Sequence, residues 1–151
     1  MRQASFADVD QLVALMAEFY AESDYPLNAQ RATEAFKVLV ADERLGRAWL
    51  VEAQGADVGY LVVTLGYSME YGGVDAFIDD LYVRPAFRRA GLGTAAVREA
   101  RAFCLARGVR ALHLEVDQAN SVARSVYRKA GFVSNDRQLL TLVLDTPTHA
   151  T

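Results

Sequence analysis

Between Asp79 and Thr94 the chain sets two adjacent carboxylates, an apolar run Leu81-Tyr82-Val83, the dipeptide Arg84-Pro85, the pair Arg88-Arg89 and two glycines spaced Gly91-x-Gly93. The glycines stand at the head of a long helical pattern. Exposed backbone N–H groups, a helix N-terminus and flanking guanidiniums all bring positive potential to one point, a combination that holds phosphate. The chemistry expected at this turn is the binding of a phosphorylated cofactor.

Two nucleotide-binding signatures can be tested against it. A Walker turn needs Lys then Ser or Thr after its last glycine, and here Gly93 is followed by Thr94-Ala95. The dinucleotide fingerprint fits Gly91, Gly93 and Ala96, with Glu115 some way on. That turn is tight, however, and seven residues including a proline separate Val83 from Gly91. The strands before it also read as antiparallel, which argues against a doubly wound fold.

With 151 residues the chain is expected to form one domain, residues 1–151. It is 52% hydrophobic and 23% charged, too apolar for a disordered chain. The single cysteine, Cys104, has no internal disulfide partner and falls on a helical apolar row. Nothing in this pattern points to secretion, no apolar run is long enough for a membrane span, and a cytoplasmic protein is expected. The net charge of −3 conceals an asymmetry: residues 1–83 carry five basic and fourteen acidic side chains, residues 84–129 ten basic and three acidic. Nine of those ten are arginines, suited to gripping an anion, whereas the acidic half suits a cation. Nucleic acid is not an expected partner.

The elements that must position this turn follow from periodicity. Met1–Gln3 is a strand stub. Asp8 with Gln11 reads as a capping box for a helix whose apolar face is Val9, Leu12, Val13, Met16, Phe19 and Tyr20, ending near Ser23. Asn28 caps a second helix, closed by Gly46. Ala48–Val51, Val58–Leu65 and Val74–Val83 read as three antiparallel strands. After the turn come a helix to Gly108, a strand Arg110–Val116 parallel to the one before the helix, and a helix Asn120–Ala130 stopped by Gly131. Phe132–Ser134 and Leu139–Leu144 read as a final hairpin around Asn135-Asp136, and the tail with His149 as unstructured.

Arg88-x-x-Gly91-x-Gly93 after a Leu-Tyr-Val strand, joined by Asn120, Ala123, Tyr127 and Gly131-Phe132, resembles the GNAT superfamily of acetyl-CoA-dependent N-acetyltransferases. The resemblance runs from Ala4 to about Leu144. It implies an α/β (mixed α+β) GNAT fold, with a mostly antiparallel sheet of six to seven strands flanked by about four helices. The cofactor implied is acetyl-CoA. Backbone N–H groups from Arg89, Ala90, Gly91, Leu92, Gly93 and Thr94, helped by Arg88, would hold its pyrophosphate. Leu81, Tyr82 and Val83 would lie along its pantetheine arm, with Asn120 and Ala123 facing the arm from the last helix.

The resemblance also makes Tyr127 the expected general acid toward the leaving thiolate. Asp79 is the expected base, acting through water, and strand alternation would put it on the face of Leu81 and Val83, with Asp80 opposite. Asp80 either shares the catalysis or anchors the fold. Glu70, Asp75, Asp79 and Asp80 come with no basic residue among them, and Glu22 ends the first helix. Glu22, Tyr25, Glu70 and Asp79 are therefore the expected lining for a cationic amine. The expected function is direct acetyl transfer from acetyl-CoA to a primary amine of a small cationic molecule of polyamine, aminoglycoside or amino acid type. A protein lysine or N-terminal acetyltransferase and a non-catalytic acyl-CoA-binding regulator are the alternatives. A homodimer fits the exposed strand edges of the C-terminal half; no metal is expected.

Overall fold

A computed structural model describes residues 1–145. Five strands, β1 (Arg2–Gln3), β2 (Gly46–Ala53), β3 (Ala56–Ser68), β4 (Gly73–Val83) and β5 (Ala111–Leu114), form one sheet in the order β1-β2-β3-β4-β5. Four helices flank it: α1 (Val9–Glu22), α2 (Ala29–Ala41), α3 (Leu92–Ala106) and α4 (Ser121–Lys129). All neighbouring strands are antiparallel except β4 and β5, which α3 connects as a parallel crossover.

Strand alternation on β3 divides the core between the two faces of the sheet. Tyr60 and Val62 pack with Leu12, Leu15 and Phe36 under α1 and α2, while Leu61 and Val63 pack with Ala96, Ala100, Phe103 and Cys104 of α3. Trp49 is the largest side chain on the α3 side, 2% exposed and edge-on to Phe103 at 5.2 Å between ring centroids. Trp49→Ala is expected to cost about 3–5 kcal/mol in guanidinium unfolding, because the rigid sheet and helix cannot collapse into the space. A loss under about 1 kcal/mol would contradict this packing.

Three sequence expectations need correction. The capping box lies one turn earlier than Asp8 and Gln11: the Asp8 carboxylate accepts the Ser5 backbone N–H at 2.8 Å, so Ser5 and Asp8 cap a short 3-10 turn that leads into α1. The sheet has five strands among the described residues, not six to seven, because the final hairpin does not form. Asn135 does make its turn, accepting the Arg137 N–H at 3.1 Å, but Phe132–Ser134 and Leu139–Leu144 do not pair. An isolated two-stranded ribbon with one three-residue arm has too little to bury. His149 lies outside the described residues.

The third correction bears directly on function. Along β4, Asp80 pairs with Val62 and Ile78 with Val63, so Asp79 is an extra residue with no partner on β3. Such a bulge interrupts alternation. Ala76 and Ile78 join the α3-side core, yet Tyr82 joins the α1 side, which strict alternation from Ile78 would also have given to α3.

Candidate active site

Pairing between β4 and β5 runs from Asp75 with Ala111 to Ile78 with Leu114 and then stops, while β4 continues to Val83. Among the described residues, that edge of β4 therefore has no strand beside it from Asp79 onward. An extended ligand can add to such an edge through backbone hydrogen bonds, with Leu81, Tyr82 and Val83 beside it.

The strand leads into the glycine turn. Arg89 has φ +64°, and Gly91, at φ +81°, is the N-cap of α3. Left-handed residues close together fold backbone N–H groups inward, and a non-glycine residue held there stores strain of the kind found at ligand clamps. Among the described residues no side chain caps α3, and no acidic residue lies in its first turn. Its leading N–H groups are thus left for an anion. A Cβ built on Gly93 would meet nothing within 4 Å, so the protein's own packing does not require glycine there. The open space at the head of the helix fits a phosphate group approaching the backbone closely.

Arg88 is committed elsewhere. Its guanidinium donates to both Glu22 oxygens at 2.8 and 2.7 Å and to the Val83 carbonyl at 2.9 Å. One turn earlier on α1, Glu18 accepts from Arg84 at 2.9 and 2.8 Å. These two pairs fasten the turn after β4 to α1, and the Arg84 guanidinium holds the Glu18 carboxyl below its usual range. Glu22 is thereby a brace for the turn.

On the α1 side of the sheet opening lies a cleft of about 540 Å³ lined by Phe19, Tyr20, Tyr25, Asp79, Asp80, Glu115, Val116 and Asp117. Asp79 and Asp80 both face it, where alternation had set them on opposite faces; the bulge is the reason. Four carboxylates and no cationic side chain line this cleft, so it favours a cation. Glu70 lies elsewhere, donated to by Arg137 at 2.7 and 2.9 Å, which draws its carboxyl below the usual range. Of the expected acceptor-side residues, Tyr25 and Asp79 are in the cleft, and Glu22 and Glu70 are not. Glu115 and Asp117 take their place; their position just beyond the last residue of β5 was the available signal. A second hollow, near 480 Å³, lies at the β2–β3 turn beside Arg2. Arg2 is already bonded to Asp8, Glu52 and Asp57, which leaves little to recognise a ligand.

Burial raises both cleft aspartates. Asp79 moves above its ordinary value through burial, offset by a hydrogen bond from Thr64. Asp80 is pushed up to about 6 by burial, and the nearby charge of Asp79 adds to this while the Tyr60 hydroxyl, donating at 2.9 Å, works against it. A carboxylate near 6 is largely ionised at neutral pH yet basic enough to take a proton. Tyr60→Phe removes the stabilising donor, so the Asp80 pKa is expected to rise above about 6. A Tyr60→Phe acid limb unmoved in the pH–rate profile would show that this hydrogen bond does not set it.

Asn120 is the N-cap of α4, its side-chain oxygen accepting the Ala123 N–H at 3.1 Å. Tyr127, on the same helix, is half-buried and edge-on to Phe132 at 5.9 Å, and Phe132 packs against the α3-side core. Burial raises the Tyr127 hydroxyl above its ordinary value, so it stays protonated. Tyr127 is outside the lining of the acidic cleft, and its ring neighbour Phe132 belongs to the α3-side core. Cys104 is buried under α3, and burial raises its thiol, which makes it a poor nucleophile.

The chain has relatives among known proteins. A mouse thialysine N-epsilon-acetyltransferase is 26% identical over 144 residues, covering 86% of this chain and 79% of the mouse protein. The crystal structure of an integron cassette protein from the mobile metagenome of Cole Harbour Salt Marsh is 44% identical with a TM-score of 0.87, covering 97% of this chain and 91% of that one. A predicted acetyltransferase of Clostridium acetobutylicum, solved with acetyl-CoA, shares the fold at 20% identity and a TM-score of 0.80, over 93% of this chain and 94% of that one. Residues 9–132 match the acetyltransferase (GNAT) family, and the chain belongs to that family.

Proposed function

We propose that this protein transfers the acetyl group of acetyl-CoA directly to a primary amine of a small cationic molecule. The observation that carries the reading is the acidic cleft beside the open edge of β4. It lets an amine and an extended coenzyme meet where the sheet parts. Bound acetyl-CoA supplies an activated acyl group and a thiolate leaving group. The residues from Arg89 to Thr94 bind its phosphates through backbone N–H groups, and Leu81 to Val83 align its arm. Asn120 and Ala123 flank it from α4, with Arg88 acting chiefly to brace the turn.

An alkyl amine with a pKa near 10.4 arrives protonated at neutral pH and must lose that proton before it can attack. Asp80, assisted by Asp79, is the acceptor of that proton, directly or through water. Tyr127 holds a proton for the departing sulfur. Phe19, Tyr20 and Tyr25 give the cleft aromatic walls for an alkyl chain or a cation. Its volume suits a small ligand, which favours a free amine over a protein acceptor. The similarity to a thialysine acetyltransferase supports a lysine-like amine with a second charged group.

Product analysis by mass spectrometry with matched amines tests the reading. Diamines and lysine-like compounds are expected to be acetylated with kcat/KM at least about tenfold above neutral amines, and amines carrying only an added carboxylate should be poorest. Equal rates for acidic and cationic amines would remove the role of the cleft.

The coenzyme site has its own test. Gly93→Glu places a carboxylate in the first turn of α3. It replaces a weak helix former and opposes the helix dipole favourably, so the free protein should melt no lower than wild type. The same charge repels phosphate, and acetyl-CoA affinity measured by calorimetry should fall about tenfold or more. Unchanged affinity would move the phosphates away from this turn.

We propose further that the protein acts as a homodimer.

A further inference from the structure

The face of the sheet that carries the acidic cleft continues beyond it. On β4, Ala76 and Ile78 join the α3-side core, so Asp75 and Phe77 look to the other face, where the cleft lies. Leu112 and Leu114 of β5 pack on the α3 side as well, which sends His113 to the cleft face. The buried core under α1 and α2 takes Tyr60 and Val62 from β3 and none of the β3 residues after them. Phe77 is accordingly 37% exposed.

Three rings and a carboxylate form a platform here. His113 lies 4.9 Å from Phe77 and 5.6 Å from Tyr71 between ring centroids, and its Nε2 stands 3.2 Å from Asp75 Oδ2. Opposite Asp75 on β3 is Gly66, where a Cβ would come within 3.0 Å of Asp75 Oδ1, so the carboxylate lies over bare backbone. The ion-pair partner of Asp75 among the described residues is His113, which carries charge only when protonated. Glu70, beside Tyr71, already holds Arg137. One carboxylate is thus left without a permanent counter-charge, next to rings whose faces attract cations.

The spacing to the cleft sets a length. A strand rises about 3.3 Å per residue, which puts Phe77 about 7 Å and Asp75 about 13 Å from Asp79 along β4. The Asp75 carboxylate meets His113, the register partner of Phe77, so it lies between these limits. An extended chain gains about 1.2 Å per bond, so roughly six to eleven bonds join a group in the cleft to one at Asp75.

We infer that Asp75, with Phe77 and His113, receives the second cationic group of the acceptor, whose alkyl chain runs from the acidic cleft along β4 across the two rings. This rests on the amine-transferase reading above and makes Asp75 a specificity-determining residue of that site. Charge selects the occupant. A carboxylate end would be repelled by Asp75 and a neutral end would leave it unpaired, whereas an ammonium gains a charge-assisted hydrogen bond. A lysine-like amine, with about six bonds between its nitrogens, reaches the near end of the range.

Steady-state rates of the full-length protein with acetyl-CoA and paired amines test this. Each diamine is divided by the monoamine of equal carbon number, which cancels the apolar contribution of the chain. In kcat/KM, the quotient for 1,8-diaminooctane over octylamine is expected to exceed that for 1,3-diaminopropane over propylamine by about tenfold or more, carried by KM. The short diamine brings the same charge to the cleft but cannot reach Asp75, so equal quotients would overturn the inference. In Asp75→Asn the two quotients should converge to within about twofold. Each quotient compares two substrates of one protein, so a general loss of activity or stability drops out. A tenfold gap that persists in Asp75→Asn would also overturn the inference, while leaving the transferase reading untouched. Transfer to no amine at all would overturn the transferase reading, and the inference with it.

Discussion

In Tyr127→Phe, kcat is expected to fall about 10²-fold or more while acetyl-CoA affinity stays within about twofold, because the variant loses one hydroxyl and keeps the ring. The ring's contact is with Phe132, and phenylalanine preserves it. The hydroxyl is held protonated by burial, so it has a proton to give when the thiolate leaves. A thiol with a pKa of about 8.5 does not require that proton absolutely, which is why the loss is set near the lower end of acid catalysis. A kcat within about threefold of wild type would remove Tyr127 as the acid and leave its ring a packing role.

Asp80→Asn is expected to lower kcat by about 10²–10⁴-fold and to abolish an acid limb near pH 6 in kcat/KM. Activity should rise with pH through about 6 in wild type, as the carboxyl gives up its proton and becomes able to accept one. Stability should move the other way. The folded Asp80 pKa of about 6 lies above its ordinary value of 3.8, so the folded protein binds the proton more tightly than the unfolded chain. That contribution is complete below about pH 4 and is lost as pH rises through about 6. Asp80→Asn should therefore gain stability relative to wild type as pH rises over this window, while losing activity. If Asp79→Asn gives the larger rate loss and removes the limb, the base is Asp79 and Asp80 anchors Tyr60.

The contrast between what the sequence made legible and what it did not follows the range of the forces involved. The turn before α3 was readable because proline, two glycines and an uncapped helix start are local signals, and the β4–α3–β5 crossover followed from them. The bulge at Asp79 was not, because it exists only as a mismatch of register between β4 and β3, and a run such as Ile78-Asp79-Asp80-Leu81 carries no mark of it. The pairing of Glu22 and Glu70 with arginines was not legible for a related reason. Their partners Arg88 and Arg137 stand 66 and 67 residues away, and local composition shows an acidic stretch without showing which acids are neutralised. Leu139–Leu144 was read as an arm of a final hairpin, and among the described residues it pairs with no strand: β-branched and leucine-rich composition marks a segment that could extend, without showing where it pairs.

Direct transfer is the central claim, and a single-turnover experiment with acetyl-CoA labelled in the acetyl group tests it most directly. Enzyme in excess would be mixed with labelled acetyl-CoA, first alone and then with a lysine-like diamine, and the label followed in protein, coenzyme and amine. The expected result is no label on the protein at any time and complete passage to the amine once it is added. Label trapped on the protein before the amine arrives would replace direct transfer with a covalent intermediate. Bound coenzyme that never passes its label to any amine would contradict the transferase reading itself.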